Sequence, residues 1–263
     1  MKVAWIGLGD VGLPAARKAA EAGHAVKGFD IKLPKPGTAA GIEIVGSARE
    51  AAQGCDVLCL AVFSDAQVED VLTGPDGVMS DLKSGAIVAI FTTGSIAMVR
   101  DLAAKAPSNI SVLDTSFSYM QSDAAAGTMA MLVGGDADAI ARARPVFDSF
   151  ARVLVHVGNS GSGRALKLVN NILLAGQLQL AADALRFAEG LGLDPDATAA
   201  ALLHCSSESD VLRRYLLNGG AGPTLEYAHR YMVKDVEAAA EAARSVGVDL
   251  GSLLAATKAY LRN

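Results

Sequence analysis

Aromatic side chains, cysteines and basic residues are all sparse in this sequence, and each shortage excludes something. Only 5% of the 263 residues are aromatic although 51% are hydrophobic, so alanine and aliphatic side chains must fill the core, a texture that favours helices. With charged residues at 19%, the composition excludes disorder. Cysteine occurs only at Cys55, Cys59 and Cys205, an odd number with no metal-ligand spacing and no histidine near the first two. All three are expected to be reduced core thiols, Cys55 and Cys59 on one buried strand, and no metal site is expected. Lysine and arginine (23) are outnumbered by aspartate and glutamate (28), a net charge of -5 that leaves no electrostatic footprint for nucleic acid or an anionic membrane. A small-molecule partner is expected instead. A long apolar run is also missing: the longest uncharged stretch, 84–99, contains Gly85, Thr92, Thr93 and Gly94 and falls short of the ~18 apolar residues of a membrane span. The opening run Val3-Ala4-Trp5-Ile6 breaks at Gly7, unlike a signal peptide, so a soluble cytoplasmic chain is expected.

What is present is an alternation. Short β-branched runs at 2–6, 25–29, 57–62, 86–91, 110–113, 128–133 and 153–157 are separated by helical patterns, which implies an α/β fold with a mostly parallel sheet wrapped by helices. The strand before Gly134-Gly135 is the atypical one, and an antiparallel orientation is open for it. After Gly163 a helical period through Leu166, Val169, Asn170, Leu173 and Leu174 continues to about Gly190, and no strand candidate follows. The turn at 158–163 therefore divides a domain over 1–162 from an all-helical domain over 163–263, with the long helix as its spine. A hydrophobic spine in a domain of about 100 residues often finds extra burial across a subunit interface, so a homodimer or higher homo-oligomer is expected.

Gly7-Leu8-Gly9-Asp10-Val11-Gly12 is a G-x-G-x-x-G that directly follows the first strand and opens a helix, the context that makes this motif specific. Gly7 permits the tight turn, Gly9 lets the backbone approach a pyrophosphate, and Gly12 lets helix and strand pack closely, while N–H groups of the helix start bind the anion. Asp30, at the end of the second strand, stands where an acid contacting the adenosine ribose belongs. Its carboxylate would repel a 2′-phosphate and favours NAD over NADP; Lys32 and Lys35 weigh against that preference. The arrangement is of the dinucleotide-binding, Rossmann type. Three glycines can also serve as a tight turn alone, and S-adenosylmethionine enzymes bind their ligand after the first strand of a similar sheet, so the glycines leave the cofactor open.

The run from Gly161 to Asn171 carries G-x-G-x-x-x-K-x-x-x-N, which resembles the catalytic signature of the β-hydroxyacid dehydrogenase family, the family of 3-hydroxyisobutyrate dehydrogenase and tartronate semialdehyde reductase. The similarity extends through Ala22-Gly23-His24, Thr92-Thr93, Asp114 to Gly135 with its Ala126-Gly127-Thr128, and Lys234-Asp235. It implies an NAD(P)-dependent oxidoreductase acting on a hydroxy acid or its aldehyde or ketone, with a C-terminal domain of the 6-phosphogluconate dehydrogenase type. By resemblance Lys167 is the general acid/base, a role open to lysine where burial and nearby positive charge lower its pKa. Asn171, four residues on and so on the same helix face, would orient the substrate. Lys234 would reach the nicotinamide end of the site. Val62, Phe63 and Thr93 match positions that line the cofactor, and Phe63 suits a core position equally well. Where the family carries Ser-Gly-Gly to bind the substrate carboxylate, this chain has Ser118-Tyr119-Met120. Ser118 keeps the register, but Tyr119 and Met120 add bulk and restrict the backbone, which puts the family's usual small hydroxy acid in question. Tyr119 offers instead a hydrogen bond, or a stacking face for a larger carbonyl compound. Two other readings stay open: an imine reductase, which shares the architecture but commonly has another residue at the lysine position, and a catalytically silent dinucleotide-binding protein. Lys167 argues against the former; Lys167, Asn171 and Lys234 argue against the latter.

Overall fold

A computed structural model describes residues 1–32, 36–39, 41–118 and 126–261 and comprises two compact units, Met1–Lys167 and Leu168–Asn263. The strands of the first unit are β1 (Lys2–Ile6), β2 (Ala25–Phe29), β3 (Gly37–Ala39), β4 (Ile42–Ile44), β5 (Val57–Leu60), β6 (Ile87–Ile90), β7 (Ser111–Ser118), β8 (Met129–Gly134) and β9 (Ala151–Gly158). Among the described residues they form one nine-stranded sheet in the order β3-β4-β2-β1-β5-β6-β7-β8-β9. Every pairing from β4 through β2, β1, β5 and β6 to β7 is parallel. β8, the strand before Gly134-Gly135, runs antiparallel to β7, and β9 then pairs parallel with β8. Helices α1 (Gly12–Glu21), α2 (Ala48–Ala52), α3 (Asp65–Thr73), α4 (Ile96–Lys105) and α5 (Ala137–Phe147) connect the strands.

Successive strand residues point to opposite faces, and both faces of this sheet are covered, so its central strands read as unbroken apolar runs rather than as alternations. Val3, Trp5, Val57, Cys59, Ile87 and Ala89 pack on one face with Ala15, Ala16 and Ala19 of α1 and Ile140, Ala143 and Phe147 of α5. Ala4, Ile6, Leu58, Leu60, Val88 and Ile90 pack on the other with Val68 and Leu72 of α3 and Val99 and Leu102 of α4. The scarce aromatics gather on the first face, where Phe91 stacks on Trp5 and on Phe117 at centroid distances of 5.7 and 4.7 Å. Cys55 and Cys59 belong to opposite faces, and Cys55 precedes β5 rather than lying on it. Burial pushes the Cys55 thiol up to about 11 and the Cys59 thiol well above its ordinary value.

α6 (Ser162–Gly190) runs for 29 residues and is followed by α7 (Pro195–Leu202), α8 (Asp210–Leu217), α9 (Ala221–Ser245) and α10 (Ser252–Tyr260), with no strand after β9 among the described residues. In the second unit Ala175, Leu178, Ala182 and Leu185 recur every three or four residues and make one buried stripe of α6. It packs with Val211, Leu212 and Tyr215 of α8, Met232 and Val236 of α9, and Tyr260 of α10. The Tyr215 hydroxyl donates to the Leu178 carbonyl. Cys205 is exposed in the turn after α7, so it is not the core thiol expected of it. None of the described helices is long and apolar enough to cross a membrane.

Candidate active site

The glycine loop leaves β1 at Ile6 and enters α1 at Gly12. Gly7 sits at φ +91°, its N–H donates to Phe29 O (2.9 Å), and a Cβ there would lie 2.4 Å from Ala61 O. A Cβ on Gly12 would lie 1.9 Å from Gly7 O. Both positions are therefore closed to any side chain by backbone packing. Gly9 differs: a Cβ on it would meet nothing within 4 Å, so the fold does not need this glycine and the bare backbone faces open space. α2, α3, α4 and α5 carry Ser47, Ser64, Ser95 and Asp136 as N-caps, each accepting the N–H three residues on. α1 has Val11 at that position and no side-chain cap. Bare glycine backbone beside an uncapped helix start fits a pyrophosphate.

Asp30 stands beside this loop, and its two oxygens accept backbone N–H groups from Leu8 (2.7 Å) and Lys32 (2.8 Å). The carboxylate is thereby fixed in orientation and retains acceptor capacity for further donors, as ribose hydroxyls would be. Lys32 is exposed; Lys35 lies outside the described residues. Asp10 is exposed, and Leu8 and Gly12 are buried. The loops after β5 and β6 meet where Thr92 Oγ1 donates to Val62 O (2.8 Å). Val62 and Thr93 are half-buried, whereas Phe63 is 80% exposed and so is not part of the core.

Ser118 ends β7 half-buried, and Tyr119 and Met120 lie outside the described residues. Upstream on β7 stands Asp114, a fully buried carboxylate that accepts the backbone N–H of Arg164 (2.9 Å) at the start of α6. Burial pushes its carboxyl above the ordinary value; the N–H groups and charge of Arg164 and the N–H groups of Gly163 and Gly161 act against that rise. Lys167 is half-buried on α6. In the second unit, buried Asn171 donates through Nδ2 to Asp235 Oδ2 on α9 (2.7 Å) and accepts from Asn170 Nδ2 (2.9 Å). Its amide is thus held by its neighbours. Lys234, next to Asp235, is exposed. Asp65, Asp114 and Arg164 belong to no local motif; the signal that the sequence offers is one acidic residue, Asp114, directly after the apolar pair Val112-Leu113 of β7.

Two family models match: the NAD binding domain of 6-phosphogluconate dehydrogenase over residues 2–158, and the NAD-binding domain of NADP-dependent 3-hydroxyisobutyrate dehydrogenase over 161–262. An NAD-dependent L-serine dehydrogenase of Pseudomonas aeruginosa is 33% identical over 81% of this chain and 73% of its own. The 3-hydroxyisobutyrate dehydrogenase of the same organism is 30% identical over 98% of this chain and 85% of its own. Among solved structures, the 3-hydroxyisobutyrate dehydrogenase of Mycobacterium tuberculosis with L-serine superposes with a TM-score of 0.83 at 28% identity, covering 99% of this chain and 92% of that one.

Proposed function

The chain belongs to the β-hydroxyacid dehydrogenase family and is an NAD(P)-dependent oxidoreductase acting on hydroxy acids, and within that class we propose that it uses NAD, oxidises a small 3-hydroxy acid and moves the proton through Lys167. The observation that carries the cofactor preference is the fixed Asp30 carboxylate: ribose hydroxyls can donate to it, whereas a 2′-phosphate would meet a full negative charge. Gly7, Leu8, Gly9, Asp10, Val11 and Gly12 hold the pyrophosphate through backbone, with Lys32 at the rim and Val62, Phe63 and Thr93 lining the remainder of the cofactor. When bound, the oxidised nicotinamide accepts the hydride of the carbinol carbon. The neutral Lys167 amine takes the hydroxyl proton as the carbonyl forms, and the ammonium returns it in the reductive direction. Ser118 donates to the substrate carboxylate, Asn171 orients the hydroxyl end, and Lys234 contributes a positive charge to substrate and cofactor.

A carboxylate one carbon removed from a primary carbinol is common to L-serine and 3-hydroxyisobutyrate, the compounds named with the relatives, and it supports the 3-hydroxy acid class. Tyr119 and Met120 are proposed to tune the size admitted. We further propose a cytoplasmic homodimer or higher homo-oligomer. The test is NAD(P)H formation with L-serine, 3-hydroxyisobutyrate and bulkier 3-hydroxy acids under both cofactors, with cyclic imines run in the reductive direction. Turnover of 3-hydroxy acids with NAD above NADP is the expected result; turnover of imines alone, or tight NADH binding with no turnover, would overturn the reading.

A further inference from the structure

Charged and polar groups from four elements meet at the start of α6, and the mechanism above leaves them unused. Arg164, in the first turn of α6, has a fully buried side chain. Its Nη1 donates to Asp65 Oδ1 (3.0 Å) at the first residue of α3 and to the carbonyl of Ser95 (2.7 Å), the N-cap of α4. Its backbone N–H donates to Asp114 Oδ2 on β7, and its Nε lies 3.7 Å from Asp114 Oδ1. The backbone N–H groups of Gly161 and Gly163 also act on Asp114 and favour its charged form, so the β7 carboxylate faces donors of the helix start. Asp65 accepts the Ser95 N–H (2.6 Å) and packs so tightly on the next loop that a Cβ on Gly94 would lie 2.0 Å from its Oδ1.

Such a cluster is a poor source of stability. Among the described residues Arg164 Nε and Nη2 and Asp114 Oδ1 have no hydrogen-bond partner, and desolvating charges typically costs as much as their attraction returns. What the cluster does supply is geometry, because a planar guanidinium whose Nη1 is held by Asp65 and Ser95 and whose Nε is turned toward Asp114 admits one placement. The loops it grips follow β5 and β6, the loops that carry Val62, Phe63 and Thr93. We propose that Arg164 is a positioning residue, which locks the first turn of α6, and with it Lys167 three residues on, to the loops after β5 and β6. This rests on the reading of Lys167 as proton carrier.

The test compares the full chain with Arg164→Gln, Arg164→Lys, Asp65→Asn and Lys167→Ala. Hydrogen–deuterium exchange read by mass spectrometry requires no substrate: Arg164→Gln and Asp65→Asn are expected to speed exchange in peptides covering 161–170 and 92–98 while α1 and α8 keep their protection. In oxidation of L-serine and 3-hydroxyisobutyrate both variants should lose on the order of 10- to 100-fold in kcat, the scale of a small misplacement of a reacting group, with KM for NAD within about twofold. Arg164→Lys, which keeps the charge without the fork, should fall between them and the wild type. Unchanged exchange at 161–170 overturns the proposal, and so does exchange that rises everywhere or a kcat loss matched by lost NAD-binding stoichiometry. If Lys167→Ala abolishes turnover while Arg164→Gln leaves kcat intact, Arg164 alone is refuted. If Lys167→Ala keeps full turnover, the proton-carrier reading fails, and the assignment of Arg164 to positioning Lys167 fails with it.

Discussion

Removing the amine of Lys167 separates chemistry from binding. Lys167→Ala is expected to lower kcat by ~10²- to 10⁴-fold, the usual worth of a positioned general acid or base, while NADH affinity, followed by fluorescence titration, stays within about threefold. Loss of affinity in step with kcat would count against a catalytic role. At Asp30 the expectation concerns cofactor choice: hydrogen bonds to a charged group are worth about 1.5–3 kcal/mol, so Asp30→Asn should cost about 10- to 100-fold in kcat/KM for NAD and much less for NADP. Equal losses with both cofactors would mean that Asp30 only holds the loop through Leu8 and Lys32. Asp114 carries a pH signature. Its folded pKa lies above the ordinary 3.8 because burial disfavours the charge, so its contribution to stability is complete below that value and is lost as pH rises through the folded pKa. Asp114→Asn does not titrate there and should gain on the wild type in urea unfolding as pH rises from the ordinary 3.8 through the folded pKa; a constant gap would contradict the sign. Asp30 was legible in the sequence because the fingerprint sets its distance from the glycines. Asp65 and Arg164 were not, since they are 99 residues apart and no local pattern encodes that pair.

The β1–loop–α1 element makes a sharper prediction, because its glycines serve different ends. Gly12→Ala would drive a methyl group to 1.9 Å from Gly7 O and should destabilise the fold or dislodge α1, whereas Gly9→Ala meets nothing within 4 Å and should melt like the wild type while losing NAD affinity. Thermal unfolding and NADH titration on the two variants distinguish them; a Gly9→Ala protein that binds NADH normally would remove Gly9 from the pyrophosphate site. Most strands were legible from their apolar runs, and the misses have local causes. β3 and β4 are three residues each, too short to carry a period. β7 reaches Ser118, beyond the expected end at 113, because Asp114, Thr115 and Ser116 interrupt the apolar pattern although all three are buried and the strand pairs with β8 from Asp114↔Gly134 to Ser118↔Ala130. Polar side chains there mark the segment next to the proposed substrate serine.

For the whole molecule, the question is what covers α6. One stripe of this helix, Ala175, Leu178, Ala182 and Leu185, is consumed by the core of the second unit. A second stripe, Val169, Leu173, Leu180 and Phe187, repeats every four or seven residues and is between 48% and 69% exposed. Large apolar side chains aligned along one helix face are unusual on a monomer and mark association, and the simplest closed solution is a second copy that presents the same stripe about a two-fold axis. Size-exclusion chromatography with light scattering should therefore return a dimer or a larger even assembly. Leu180→Glu with Phe187→Glu, placing two charges on this face, should shift the mass toward one subunit while far-ultraviolet circular dichroism is retained, because neither residue belongs to the buried stripe. A wild type that is monomeric at tens of micromolar, on the order of the concentrations where weak interfaces form, would leave the apolar stripe without the partner assigned to it.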